Sequence, residues 1–399
     1  MKRHTSWNPY KYLLIVGLTA VLLASCGSPA NDGQSPDTIQ TVHIGVMLPQ
    51  SGLFESLGRR ARLVLDEAFV RQLPIEDVQV TFTYCDNETT LEGAIACAES
   101  FIADSVDVVI GGILVSFSNA AGSLLNDARI PFISIGSMQP STPNVGDYVY
   151  KIPYDVSWQA LALAQHAQTL NDTARYVILN SENDSYASSL ADASEAAFES
   201  LAGTTTRIRF DANETDIDEI TTSVIAASAD VIVYAGFCSE GLPLITNLRN
   251  RGYQGALLTI DIAAAPECQR SDALVGSVRT DGYVLESFSG TTRERGEAFA
   301  TQLRTAHPES NPTIETYTLS ARDALGMVLH VVSDMDIVDS EAIQRALANL
   351  NAYPGVTGDI TYAGTGGTPT ERTVGLFLIT SESGVNVEQA IEGILVSAP

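Results

Sequence analysis

Val42-His43-Ile44-Gly45-Val46-Met47-Leu48 is a short apolar run, and the segment after it carries Ala61, Val64, Leu65, Ala68 and Phe69 at the spacing of one helix face. A strand followed by an amphipathic helix sets a rhythm that the chain then repeats. Val78, Val80, Phe82 and Tyr84 alternate as in a half-exposed strand, and Ala94, Ile95, Ala98, Phe101 and Ile102 form a second helical stripe beside Cys97. Two near-continuous apolar runs come next, Val106 to Ile110 and Ile130 to Ile135, separated by a helix around Ser118 to Asn126. Runs that are apolar on both faces fit central parallel strands with helices on each side.

The pattern restarts further on. The spacing predicts strands at Tyr176 to Leu179, Thr206 to Ile208, Val231 to Tyr234 and Ala256 to Ile260, alternating with helices at Asp184 to Leu201, Asp216 to Ala227 and Glu240 to Arg251. Two βα series imply an α/β chain with two lobes, each built on its own sheet. Residues 291–350 read as mostly helical, apolar along one side from Tyr317 to Val332. The tail, with Gly355 to Tyr362, a glycine-rich turn at 364–367 and a strand at Val374 to Ile379, reads as a hairpin-like ending.

The start of the chain has a different character. Lys2, Arg3 and Lys11 accompany the 13-residue apolar stretch Tyr12 to Ala24, and Leu23-Ala24-Ser25-Cys26 has the form of a lipoprotein cleavage site. The stretch is shorter than the ~20 residues a permanent span needs. The expectation is that residues 1–25 are an export signal, that Cys26 is lipidated, and that 26–40, small, polar and proline-bearing, form a flexible tether. An ordinary secretory signal with a chance cysteine is the alternative. Loss of 1–25 removes three positive charges from a chain of net charge −26, leaving −29. Such a surface repels nucleic acid and anionic headgroups, so lipid on Cys26 is the expected membrane attachment.

Outside the cytoplasm, the four remaining cysteines allow two disulfides. Of the three pairings, Cys85 with Cys97 and Cys238 with Cys268 keep each bridge within one half of the chain; free buried thiols are the other reading. No Cys-x-x-Cys or histidine pair accompanies them, so no metal site is expected. No Gly-x-Ser-x-Gly elbow is present, and the glycines at 364, 366 and 367 lack the Lys-Ser/Thr of a phosphate loop. Asp86-Asn87-Glu88 reads as a solvated loop, since the further ligands of a calcium loop do not follow. Neither catalysis nor a cofactor is expected.

The order of the lipoprotein signal, Ile44-Gly45-Val46, Ser51-Gly52, Val109-Ile110-Gly111-Gly112, Ile130-Pro131-Phe132-Ile133-Ser134 and Gly358-Asp359-Ile360 is similar to that in solute-binding proteins of ABC transporters, the Leu/Ile/Val-binding family. The resemblance covers roughly residues 42–380. It implies the type I periplasmic binding protein fold: two doubly wound, Rossmann-like lobes joined by a three-segment hinge, with lobes at 41–152 plus 286–365 and 153–285 plus 366–399. It implies a monomer that captures a small solute, an amino acid first among them, and delivers it to an ABC permease. A sensor of the same fold binding an amide, urea or aromatic acid is the alternative, and a cell-surface enzyme a more distant one.

Open α/β sheets bind ligands beyond the carboxyl ends of their strands. The loops Gln50 to Phe54, Leu114 to Ser118 and Gly136 to Gln139 stand at such ends. Ser116 is placed to cap a helix, leaving the amides of Phe117 and Ser118 for an anion. By resemblance Ser116, Gly136 and Ser137 grip the solute's carboxylate and amine, Met138 replaces the family's threonine, and Tyr186, Phe237 and Asp261 close from the second lobe. Phe54 and Tyr154 are further aromatic candidates. Simple capping for Ser116, a tight turn for Gly136, a cap or salt bridge for Asp261, and packing for the aromatics are the alternatives.

Overall fold

The computed structural model describes residues 39–72, 78–139, 142–170, 175–182, 185–201, 203–211, 213, 216–236, 238–259, 268–281, 290–308, 316–382 and 385–397. Its first half is a five-stranded sheet of β1 (Gln40–Leu48), β2 (Val78–Asp86), β3 (Val108–Gly111), β4 (Phe132–Ser134) and β5 (Val149–Lys151), every pair parallel, in the order β2-β1-β3-β4-β5. The helices α1 (Glu55–Gln72), α2 (Leu91–Ala103) and α3 (Val115–Asp127) make the crossovers. β3 and β4 are buried along their whole length, which their two-sided apolar sequences require.

Next, α4 (Val156–Leu170) leads into β6 (Arg175–Ser181), α5 (Ser185–Ser200), β7 (Thr204–Phe210), α6 (Ile217–Ala226), β8 (Val231–Ala235), α7 (Cys238–Asn250), β9 (Ala256–Thr259) and β10 (Val278–Asp281). The chain continues through α8 (Gly290–Ala306), α9 (Thr316–Val332), α10 (Ser340–Ala348) and the small antiparallel pair β11 (Tyr353–Gly355) and β12 (Gly358–Ile360). It ends in the hairpin of β13 (Glu371–Glu382) and β14 (Val385–Ser397). The hairpin joins the second sheet, whose order is β14-β13-β10-β9-β8-β6-β7, with β13 antiparallel to β10.

Each sheet reverses its winding at one place, between β1 and β3 in the first and between β6 and β8 in the second. Those switch points open a crevice at the carboxyl ends of the strands. The first sheet is covered on one face by α1, α9 and α10, through residues such as Leu65, Leu325 and Ile343, and on the other by α2 and α3, through Phe101 and Leu125. A separate cluster joins elements of both sheets: Val64 on α1, Trp158 on α4, Phe299 and Leu303 on α8, Val374 on β13 and Val396 on β14. Burying each large apolar side chain here contributes about 2–3 kcal/mol.

Cys85 at the end of β2 is disulfide-bonded to Cys97 on α2, the pairing expected. Cys268 is disulfide-bonded as well, while the side chain of Cys238 lies outside the described residues. Periodicity missed β5 and β10, of three and four residues, α4, which is apolar nearly all round, and the 13-residue β14. Residues 364–367 form a turn, with Gly364, Gly366 and Gly367 all at positive φ. Cys26 and the tether through residue 38 lie outside the described residues, and no helix among those described is long and apolar enough to cross a membrane.

Candidate functional site

At the switch point of the first sheet the loops are wired to one another by hydrogen bonds. Asp86, the last residue of β2, accepts from the amides of Gln50 (2.7 Å), Ser51 (3.2 Å) and Glu88 (2.8 Å) and from the Ser51 hydroxyl (2.7 Å). Burial works to raise this carboxyl; the four donors outweigh it and hold Asp86 below the usual carboxylate range. Asp86 is therefore the post on which the Gln50–Phe54 loop is hung, and not part of a merely solvated turn. Phe54 itself is half-buried, its amide on the Thr89 hydroxyl at 3.2 Å.

The loops after β3 and β4 are tied together at the Gly112 carbonyl. It accepts from the hydroxyls of Ser118 and Ser134, each at 3.1 Å, and from the Gly136 amide at 3.1 Å. Gly112 has φ +72°, and a β-carbon there would lie 2.4 Å from the Ser118 hydroxyl oxygen. Gly136 is needed for close approach and not for a left-handed turn: a β-carbon would stand 2.2 Å from the Ile113 carbonyl oxygen.

Several expected roles change once the loops are seen folded. Leu114, not Ser116, occupies the N-cap of α3, and no side chain caps that end. Ser116 stands exposed in the first turn. The Ser118 amide is already bonded to Leu114 O at 2.9 Å, so the uncommitted first-turn donors are the amides of Val115, Ser116 and Phe117. The Phe117 side chain packs into the core between α3 and the first sheet. Ser137 is fully buried, its amide on the Ser134 hydroxyl at 3.2 Å and its own hydroxyl paired with Thr142, which in turn donates to Asn119 at 2.7 Å. Met138 enters the core of the second sheet, with the Gln159 amide 3.7 Å from its sulfur. Tyr154 is fully buried and its hydroxyl accepts from Gln159 at 2.8 Å, the packing role that was its alternative. The Tyr186 side chain, Phe237 and Asp261 lie outside the described residues.

Gln139 closes the Gly136 to Gln139 loop, and its side chain had no role assigned from the sequence. Its side-chain amide donates to the Ser189 hydroxyl, in the second turn of α5, at 3.3 Å. A loop at the carboxyl end of the first sheet thus touches a helix that starts at the carboxyl end of the second. The Gln139 carbonyl accepts from Lys151 Nζ at 3.3 Å, and that ammonium is ion-paired with Asp155. Burial pushes the Lys151 amine down to about 7. No sequence signal pointed to Lys151, since the three residues of β5 hold no period.

Two buried polar atoms beyond the switch points have no hydrogen-bond partner: Gln50 Nε2, just past β1, and Glu240 Oε2, in the first turn of α7 just past β8. One is a donor and the other an acceptor.

A sequence model of the periplasmic binding protein family matches residues 41–380. The chain belongs to that family. Among curated relatives, a Leu/Ile/Val-binding protein homologue of Brucella melitensis is 21% identical over 353 residues, covering 86% of this chain and 93% of its own. The leucine-binding protein of Thermotoga maritima superposes with a TM-score of 0.72 at 20% identity, over 88% of this chain and 99% of the other. A solute-binding protein of R. palustris in complex with 4-hydroxybenzoate superposes with a TM-score of 0.73 at 17% identity, over 89% and 97%. A branched-chain amino acid binding protein of Streptococcus pneumoniae in complex with isoleucine gives 0.69 at 20%, over 88% and 99%. The two-sheet fold is therefore that of periplasmic binding proteins, whose members bind solutes for ABC transporters outside the cytoplasm.

Proposed function

We propose that this periplasmic binding protein captures a small solute carrying a carboxylate and an amine, a branched-chain amino acid in the first instance, and delivers it to an ABC permease. The observation that carries the reading is the Gln139–Ser189 hydrogen bond, which brings the carboxyl-end loops of the two sheets against each other. The α3 first-turn amides and Gln50 Nε2 supply donors for the carboxylate, and Glu240, with Asp261, the charge for the ammonium. Gly136 sets the loop spacing; Tyr186 and Phe237 would close over the solute. Ser137, Met138 and Tyr154 act from behind it, as the packed frame.

Micromolar capture requires about 8 kcal/mol, within reach of a few charge-assisted hydrogen bonds and apolar burial. Lobes at 41–152 plus 286–365 and 153–285 plus 366–399 fit the recruitment of β13 and β14 into the second sheet. A lipid on Cys26 would hold the receptor near its permease, with the monomer as the working unit.

Titration calorimetry with leucine, isoleucine, 4-hydroxybenzoate, urea and simple amides tests the reading. Leucine or isoleucine should bind with micromolar affinity and lose at least tenfold on Glu240→Gln. Binding of 4-hydroxybenzoate alone would transfer the site to aromatic acids, and heat from none of these solutes with folded protein would refute it.

A further inference from the structure

Where the chain returns from β12 to the second sheet, it carries a buried charge with no counter-charge among the described residues. Arg372, the second residue of β13, is 2% exposed. Its Nη1 donates to the carbonyls of Asp359 (2.9 Å) and Glu371 (3.0 Å), while Nε and Nη2 have no partner. No carboxylate among the described residues pairs with it; Asp359 gives its own carboxylate to Arg295 at 2.8 Å. A guanidinium does not shed its proton to escape burial, so its charge needs another answer.

A second orphan donor belongs to the same neighbourhood. Trp158, 1% exposed on the first turn of α4, has its indole Nε1 buried without a partner. Trp158 packs in one cluster with Val374 and Val396; Val374 shares its strand face with Arg372, and Val396 is the cross-strand partner of Arg372. The location follows from register. Asp281, the last residue of β10, pairs with Gly375, so Arg372 lies beyond the carboxyl end of the parallel strands, on the hinge side of the crevice.

We propose that Arg372 and Trp158 form a binding site for one small anion, a halide or a carboxylate, built into the wall where the chain crosses between the sheets. The three open nitrogens, Nε and Nη2 of Arg372 and the indole Nε1 of Trp158, belong to two side chains packed about Val374 and Val396, and together would offer such an anion a planar fork and a single donor. The site is separate from the solute contacts assigned above and stands whether or not leucine binds.

The test is fluorescence of the full chain carrying Trp7→Phe, which leaves Trp158 as its only tryptophan. Iodide is titrated at constant ionic strength against methanesulfonate, which is neither a halide nor a carboxylate. A buried indole with no site nearby is quenched weakly and linearly; an anion seated on it quenches saturably. Saturable quenching that chloride reverses assigns a halide, and reversal by acetate but not chloride assigns a carboxylate. Arg372→Met should abolish the saturable phase, and Arg372→Lys should weaken it at least tenfold. Linear quenching in the Trp7→Phe chain, or a saturable phase that survives Arg372→Met, overturns the proposal. Should Arg372→Met not fold, the Trp7→Phe titration and the chloride competition decide alone.

Discussion

The switch point of the first sheet and the hinge-side wall are both built from buried polar groups, yet they settle them in opposite ways. Around Asp86 and the Gly112 carbonyl the backbone amides and hydroxyls have their acceptors, so that the loops are fixed in two pairs, and only the side-chain amides of Gln50 and Asn87 are left open. At Arg372 and Trp158 three buried nitrogens carry N–H groups without an acceptor. A polar network that is complete specifies geometry, and one that is incomplete invites a guest. The first region is where the protein must hold its own shape; the second is where it has left a valence open.

Substitutions sharpen that contrast. Gly136→Ala forces a β-carbon against the Ile113 carbonyl, backbone against backbone, and should cost about 3 kcal/mol in urea unfolding and at least tenfold in solute affinity. Ser134→Ala takes away one donor to Gly112 O and the acceptor of the Ser137 amide, leaving that amide buried and unpaired; about 2 kcal/mol is expected by the same measurement. Asp86→Asn should cost about 1 kcal/mol at pH 7 and show its signature in acid. The folded carboxyl is lowered, so its stabilisation is fully present above the unfolded value, about 3.9, and is lost as pH falls through the folded value; the variant should lack that component of the acid transition. Arg372→Met in methanesulfonate should lose nothing, or gain, because it removes a charge that no carboxylate among the described residues neutralises. A loss of several kcal/mol there, or no loss at Ser134, would break the comparison.

Much of the fold was legible because burial writes itself into period. Val108 to Gly111 and Phe132 to Ser134 are apolar on both faces since helices cover both. β5 was not legible: three residues hold no period, and one of them is a lysine whose charge is answered by Asp155 only once the hinge is folded. The site was readable as loops but not as side chains. Which of Ser116 or Leu114 caps α3 depends on where the strand releases the chain, and Met138 and Tyr154 turn inward because a second sheet stands there to receive them. Gln139 and Arg372 carry no local signal, for their meaning is made by partners 50 residues away or by partners missing altogether.

The two described crossings between the sheets lie side by side and are stitched together. The Lys151 amide donates to Gly367 O at 3.0 Å, and the Tyr362 hydroxyl donates to Lys151 O at 2.9 Å. Two strips fastened edge to edge behave as a tape and not as two threads: they flex across their flat side and resist twist and slippage. Such a tape would confine any relative motion of the two halves to a single swing, and a permease touching both would then read one angle instead of a cloud of orientations.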